Sequence, residues 1–477
     1  MKFILNIFIS IIGLLILTQP VQAIIVWDGK IVPAWPEEVH QKALAKRSVS
    51  ITSTQYGFFP HPRDTTYGVV MIVDFSDQPA KFNNGQVADW LNKKGYSSSY
   101  ANSSVYDYFY QVSNGKLHLL NDVYGYYRAK NPKSYYENST GYSKATELVN
   151  EMLTYFDPMV DFSKYDNDKN GTTESISFVY AGSGQTWGKG LWPHSGWINQ
   201  KKDGVTLGSY NMCDMGSGLG LYVFCHETGH MIFGWPDLYW FGDYCIMGNR
   251  MSDVNPVPVN DFFRADQGWI PTTTITAADN AIFTAAPNQM AYRYVNPSNK
   301  NQMYVWSNIK NTGRYSTLKG KGLLMFKFDN SIKGNTSGTS RQLYVIEADG
   351  NNAMAGGQWP SPGSAASDFF ASTSKPEFSS TTTPASLWGL RIYNISAASD
   401  NMTFTIGTGI VSAKPGCPVV SRNKHLSTSS GYPVYNLTGQ CLVNNNPLTG
   451  INSRSHHAGS GYYIINSVPI VKQRHFE

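Results

Sequence analysis

The chain has 477 residues, of which 41% are hydrophobic, 14% aromatic and only 15% charged, against roughly 25% charged in an ordinary soluble domain. That profile excludes a disordered chain and a coiled coil, and at roughly 100 to 200 residues per domain it leaves room for several domains with substantial cores. A net charge of +5, the small difference between 38 basic and 33 acidic residues, argues for neither nucleic acid nor an anionic membrane as partner, while 43 Gly and 30 Tyr suit a β-rich exported protein.

Lys2 precedes an apolar run over residues 3–17, Thr18-Gln19-Pro20 breaks it, and Val21-Gln22-Ala23 supplies a cleavage site. This pattern predicts a secretory signal peptide over 1–23, because the run falls short of the roughly 20 residues that span a bilayer. No later segment reaches that length, so no transmembrane anchor is expected after its removal. Residues 24–65 mix Pro, charge and a short helical stretch ending at Lys46-Arg47, and read as an N-terminal arm or a short propeptide. At Tyr67 the texture changes. Gly68-Val69-Val70-Met71-Ile72-Val73-Asp74-Phe75 predicts a buried strand; helical spacing follows over 85–94, 105–112 and 142–156, and 175–181 reads as a second buried strand. This sequence of elements predicts an αβ layered domain over 66–271.

Within that domain, Asp166-Asn167-Asp168-Lys169-Asn170-Gly171 sets oxygen ligands at loop positions 1, 3 and 5 and Gly at 6, the opening of a calcium-binding loop. The carbonyl of Thr172 and the side chain of Glu174 would complete the shell. Position 12 is Ser177 and a strand follows, so the expectation is a structural Ca2+ ion and not a helix-loop-helix sensor; the competing reading is a solvated acidic turn.

The decisive stretch is Cys225-His226-Glu227-Thr228-Gly229-His230, continued by Met231-Ile232-Phe233-Gly234-Trp235-Pro236-Asp237. On a helix, His226 and His230 project from one face and can ligate one Zn2+ ion, with Glu227 beside them to polarise a water. Gly234 can end that helix in the left-handed conformation, Pro236 prevents its continuation, and the chain can bring Asp237 back as third ligand. Asp243 is the alternative third ligand. Met247 follows in the turn Tyr244-Cys245-Ile246-Met247-Gly248, the place where metzincins set an apolar floor under the metal.

Past Pro271, short alternating strands are expected over 292–295, 302–309, 322–328, 342–347, 390–395 and 401–406, which is the texture of a β-sandwich over 272–410. A polar last segment, 411–477, begins near Lys414-Pro415-Gly416 and carries further short strands. The five cysteines suit an oxidising destination and leave one unpaired; one bridge is expected among Cys213, Cys225 and Cys245 and another between Cys417 and Cys441.

The motif and its surroundings resemble the immune inhibitor A family of secreted zinc metallopeptidases, whose signature is HExxHxxGxPD followed by a Tyr and a Met-turn. Ser104-Val105-Tyr106-Asp107-Tyr108-Phe109 with Ser113-Asn114-Gly115-Lys116-Leu117, and Trp192-Pro193-His194, are similar to family elements upstream. Gly268-Trp269, Gly322-Leu323-Leu324, Glu347-Ala348-Asp349-Gly350 and Ile395-Ser396 are similar to elements downstream, so the resemblance covers about 65–410. One departure stands out: Gly234 and Asp237 lie four and seven residues after His230, each one later than in the family, although Trp-Pro-Asp-Leu-Tyr keeps the family order.

The resemblance implies an α+β zincin-like metalloprotease catalytic domain, a β-sandwich-like domain and a small β-rich C-terminal module. It implies hydrolysis of protein or peptide substrates by a zinc-activated water, with Glu227 as general base and one catalytic Zn2+ ion held by His226, His230 and Asp237. His194 is a catalytic candidate from the Trp-Pro-His element, against a structural role for the same side chain. The segment 434–472 resembles small C-terminal sorting domains of bacterial surface export, against a plain terminal β-module. The expected location is therefore extracellular, secreted or attached to the cell surface through that module. The competing function is a cell-surface adhesion or glycan-binding protein whose metalloprotease domain is secondary or degenerate.

Overall fold

A strand buried on both faces needs a covering layer on each side, and residues 69–73 are buried without a break. The computed structural model describes residues 58–408, apart from 249–251, 277–280, 333, 335–340, 352 and 354–363, together with short strands toward either end of the chain. The expected signal segment 1–23, the Lys46-Arg47 pair and Cys417 lie outside the described residues, as does most of 411–477.

Seven strands form the largest sheet: β1 (Ile25–Trp27), β2 (Lys30–Val32), β3 (Thr65–Asp74), β4 (His118–Arg128), β5 (Ile176–Tyr180), β6 (His194–Lys202) and β7 (Val205–Asp214). Their order is β2-β1-β6-β7-β5-β3-β4. The strands from β7 to β4 in that order run parallel, and β6 is reversed as the hairpin partner of β7. Among the described residues, six α-helices accompany the sheet: α1 (Asn84–Asn92), α2 (Val105–Val112), α3 (Lys133–Glu137), α4 (Ser143–Phe156), α5 (Tyr222–Phe233) and α6 (Asp261–Asp266).

Strand alternation divides the core into two layers. Val70, Ile72 and Val179 join Trp90 of α1, Phe109 of α2, Phe224 of α5 and Phe263 of α6. Val69, Met71, Val73 and Phe178 join Leu148, Met152 and Phe156 of α4. Three of the helices start on side-chain caps: Asn83 forms a capping box with Gln86, Ser104 accepts from the Asp107 amide, and Asn260 accepts from the Phe263 amide.

The chain then builds β8 (Thr272–Thr274), β9 (Ala281–Ala285), β10 (Ala291–Asn296), β11 (Asn299–Ile309), β12 (Gly322–Asp329), β13 (Leu343–Ile346), β14 (Leu390–Tyr393) and β15 (Met402–Thr408). These form a five-stranded sheet, β13-β12-β11-β10-β8, and a three-stranded one, β14-β15-β9. Tyr292, Tyr304, Trp306 and Met325 of the first meet Ile392, Met402 and Phe404 of the second. The opposite face of the five-stranded sheet, with Val305, Phe326 and Phe328, belongs to the same apolar cluster as α5 and α6. Phe328 stacks on Phe262 with ring centroids 4.3 Å apart. A four-stranded sheet follows in the tail, from β16 (Val434–Tyr435), β17 (Cys441–Val443), β18 (Tyr463–Ile465) and β19 (Val468–Ile470).

The architecture is mixed, α+β, with several sheets and few helices. Among the described residues no helix is long and apolar enough to cross a membrane. The expected bridge among the first three cysteines does not form: Cys213, Cys225 and Cys245 are buried free thiols. Each packs as a small apolar group, on β7, on α5 and in the turn after it, and burial pushes the Cys245 thiol up to about 12.

Candidate metal centre

Helix α5 is buried around nearly its whole circumference, as a core helix must be if its polar groups find partners. Gly234 ends it with φ 63°, its N–H reaching the carbonyls of Gly229 and His230. The helix therefore runs to Phe233 before it caps. Beyond the cap the chain doubles back, fixed by the Leu238 amide donating to the Met247 carbonyl at 2.7 Å.

Each motif histidine is tied at Nδ1 to a backbone carbonyl, His226 to Ile246 at 2.8 Å and His230 to Trp235 at 2.6 Å. A carbonyl only accepts, so both rings carry their proton on Nδ1 and turn the Nε2 lone pair inward. The two Nε2 atoms are 3.1 Å apart, and Asp237 Oδ1 lies 3.2 Å from that of His226 and 3.1 Å from that of His230. All three side chains are buried. Three acceptors thus face one another at nearly equal separations, an arrangement that repels unless a cation sits among them. A tetrahedral Zn2+ with ligands at about 2.0–2.1 Å needs ligand atoms about 3.3 Å apart, which this triangle meets within about 0.2 Å.

Glu227 lies next to His226 and is fully buried. Its Oε2 accepts from the Ser195 hydroxyl at 3.2 Å, and its Oε1 has no partner among the described residues. Burial first, then the charge of Asp237, push this carboxyl well above the usual carboxylate range, with the Ser195 hydroxyl pulling the other way. Met247 occupies the turn in which the Gly248 amide donates to the Cys245 carbonyl, and its side chain packs against α5 at Gly229. A Cβ on Gly229 would meet Met247 Sδ at 2.7 Å, so Gly229 makes the room. The Tyr239 side chain lies close to Asp237, and the Tyr222 hydroxyl donates to the Gly248 carbonyl at 2.6 Å.

His194 is engaged elsewhere. Its Nδ1 meets the Trp192 carbonyl at 2.7 Å, its Nε2 meets the Tyr210 hydroxyl at 3.0 Å, and its ring lies 4.4 Å from that of Tyr142. Strand alternation on β6 sends His194 toward this aromatic layer and its neighbour Ser195 toward α5. Burial pulls the His194 imidazole down to about 4. Asp243, the alternative third ligand, accepts instead from Ser364, through the amide and, at 2.9 Å, the hydroxyl. Ser195 and Tyr239 are the contacts that sequence reading missed; the Tyr was visible in the motif order, whereas Ser195 carries no local signal beyond its place after His194.

The acidic loop gathers Asp166, Asp168 and Glu174, with ligand atoms within 4.8 Å of one another. Asp166 accepts from the amides of Asn170 and Gly171, both at 2.9 Å, and Asp168 Oδ1 accepts from the Asn170 amide at 3.0 Å. Asn170 also donates to Asp168 through its side chain at 2.8 Å, and Thr172 forms a bridge with Thr206 of β7. Glu174 Oε2 accepts from Asn167, while its Oε1 is buried without a partner among the described residues. Burial raises the Glu174 carboxyl to about 8. No family model and no curated protein matches this chain.

Proposed function

We propose that the chain is a secreted zinc-dependent metalloendopeptidase. In this reading residues 66–271 form a zincin-like catalytic unit, 272–410 a β-sandwich-like domain and 411–477 a C-terminal module for surface sorting or binding. The observation that carries it is the triangle of His226 Nε2, His230 Nε2 and Asp237 Oδ1 beside a buried Glu227 with one open oxygen. A structural zinc site usually fills all four positions with Cys and His; here three ligands include a carboxylate, and the nearby thiol of Cys245 is engaged by the Asn260 amide at 3.4 Å.

When bound by these three residues, Zn2+ would act as the Lewis acid that polarises a peptide carbonyl and acidifies water. Glu227 takes the proton of the attacking water at Oε1 and passes it to the departing amine, a role that suits a carboxyl held above its usual range. Ile246 and Trp235 orient the two imidazoles through their carbonyls. The acidic loop fits a structural Ca2+ ion, because Glu174 Oε1 is an orphaned buried oxygen aimed among other carboxylates. The intact His-Glu-His set disfavours the adhesion reading. Incubating a mixed peptide library with purified wild type and Glu227→Ala tests the proposal. Cleavage by the first alone is expected, and no cleavage by either would refute it.

A further inference from the structure

Glu227 must present one oxygen to the reacting water, yet a buried glutamate on a helix has several staggered rotamers available. Something must select one. On β6, the residue whose side chain turns toward α5 is Ser195, fully buried. Its hydroxyl has one proton and two acceptors within reach: the Glu227 carbonyl at 2.9 Å and the Glu227 Oε2 at 3.2 Å. A single donor thus spans the backbone and the carboxylate of the same residue, which brackets the side chain between its two ends and leaves Oε1 as the oxygen without a partner.

Two β7 side chains also tie α5 to the sheet. Ser209 donates to the Met231 carbonyl at 2.7 Å, and Asn211 donates to the Thr228 hydroxyl at 3.3 Å. Of the three rivets only Ser195 touches a carboxylate. We propose that Ser195 is a positioning residue for Glu227, fixing the carboxylate so that Oε1 faces the reacting atoms, whereas Ser209 only anchors the helix. This rests on the peptidase reading. Ser195 itself neither binds substrate nor transfers a proton.

The test compares full-length, zinc-loaded Ser195→Ala, Ser195→Thr and Ser209→Ala with wild type and Glu227→Ala. It measures kcat and KM on one peptide, zinc per chain, and melting temperature. Ser195→Ala should lose about tenfold or more in kcat, with KM within about twofold and zinc retained. Ser195→Thr keeps the hydroxyl and should recover most of that loss. Ser209→Ala should melt lower with kcat unchanged. The inference is overturned if Ser195→Ala keeps wild-type kcat, if it loses zinc, or if Ser209→Ala loses as much kcat. A wild-type rate equal to that of Glu227→Ala removes the peptidase reading instead, and this inference with it. Should Ser195→Thr fail to fold, the Ser195→Ala and Ser209→Ala pair still decides.

Discussion

The triangle formed by α5 and Asp237 draws its atoms to 3.1–3.2 Å and the acidic loop at 166–174 gathers its own within 4.8 Å, but the two differ in where the protons lie. In the loop, backbone amides donate to Asp166 and Asp168, so most of the carboxylate charge is met inside the protein and only Glu174 Oε1 is left over. In the triangle both Nδ1–H groups face outward to carbonyls, away from the three inward atoms. The loop's carboxylates are largely met by its own amides, whereas on the proposed reading the triangle needs a cation. A third group, Glu347, Asp349 and Asp368, resembles the loop, with its carboxylates accepting from Ala353, Asn351, Ala365 and Tyr244. Ligand proximity is therefore a poor guide to metal binding until internal donors are counted.

The largest expected effect lies in the triangle. His226→Ala should lose zinc and peptide hydrolysis together, while chelation should silence wild type and added zinc restore it, as metal analysis alongside an activity assay would show. Asp237→Asn should weaken zinc binding by about 10- to 100-fold, and Asp243→Asn should leave it unchanged while lowering stability by about 1–2 kcal/mol through the lost Ser364 bonds. The opposite ranking of these two variants in a zinc titration would reassign the third ligand. Next comes the loop. With Ca2+ at about 100 times its dissociation constant, a gain of roughly 2.7 kcal/mol is expected. That is a rise of several degrees in melting temperature that Glu174→Gln should largely remove. Equal melting with Ca2+ and with a chelator would leave only an acidic turn.

A pH effect separates His194 from its neighbour. Its folded pKa near 4 lies below the ordinary 6.5, so the unfolded chain binds the proton first as pH falls. The stability tied to His194 is fully present above about pH 6.5 and is lost toward pH 4, to a total of about 3 kcal/mol. Urea midpoints at pH 7 and pH 5 should converge in His194→Gln relative to wild type. An unchanged pH slope would show that the buried imidazole titrates normally.

The sequence made the buried, regular parts legible. The strand predicted over 68–75, the helix over 105–112 and most sandwich strands appear as β3, α2 and β10 to β15, because apolar periodicity was strong there. β4, β6 and β7 escaped, since their polar, interrupted runs draw their pairing from neighbours and not from local pattern. The same limit applied at the metal centre. His226, Glu227 and His230 were fixed by spacing on one helix, and Asp237 by the Gly and Pro that turn the chain. Ser195, the carbonyls of Ile246 and Trp235, and the engagement of His194 by Tyr210 depend on strand alternation and long-range packing, which one sequence does not encode locally. The cysteine expectation failed for a related reason: counting thiols ignores that a core accepts Cys as a small apolar residue.

The central claim is that Glu227 acts on substrate while His226, His230 and Asp237 hold the metal. Measuring zinc per chain and peptide hydrolysis on the same preparations of wild type and Glu227→Ala tests it most directly. The account predicts one zinc in both, with hydrolysis lower by about 100-fold or more in the variant. Zinc-loaded Glu227→Ala that still cleaves at the wild-type rate would contradict it.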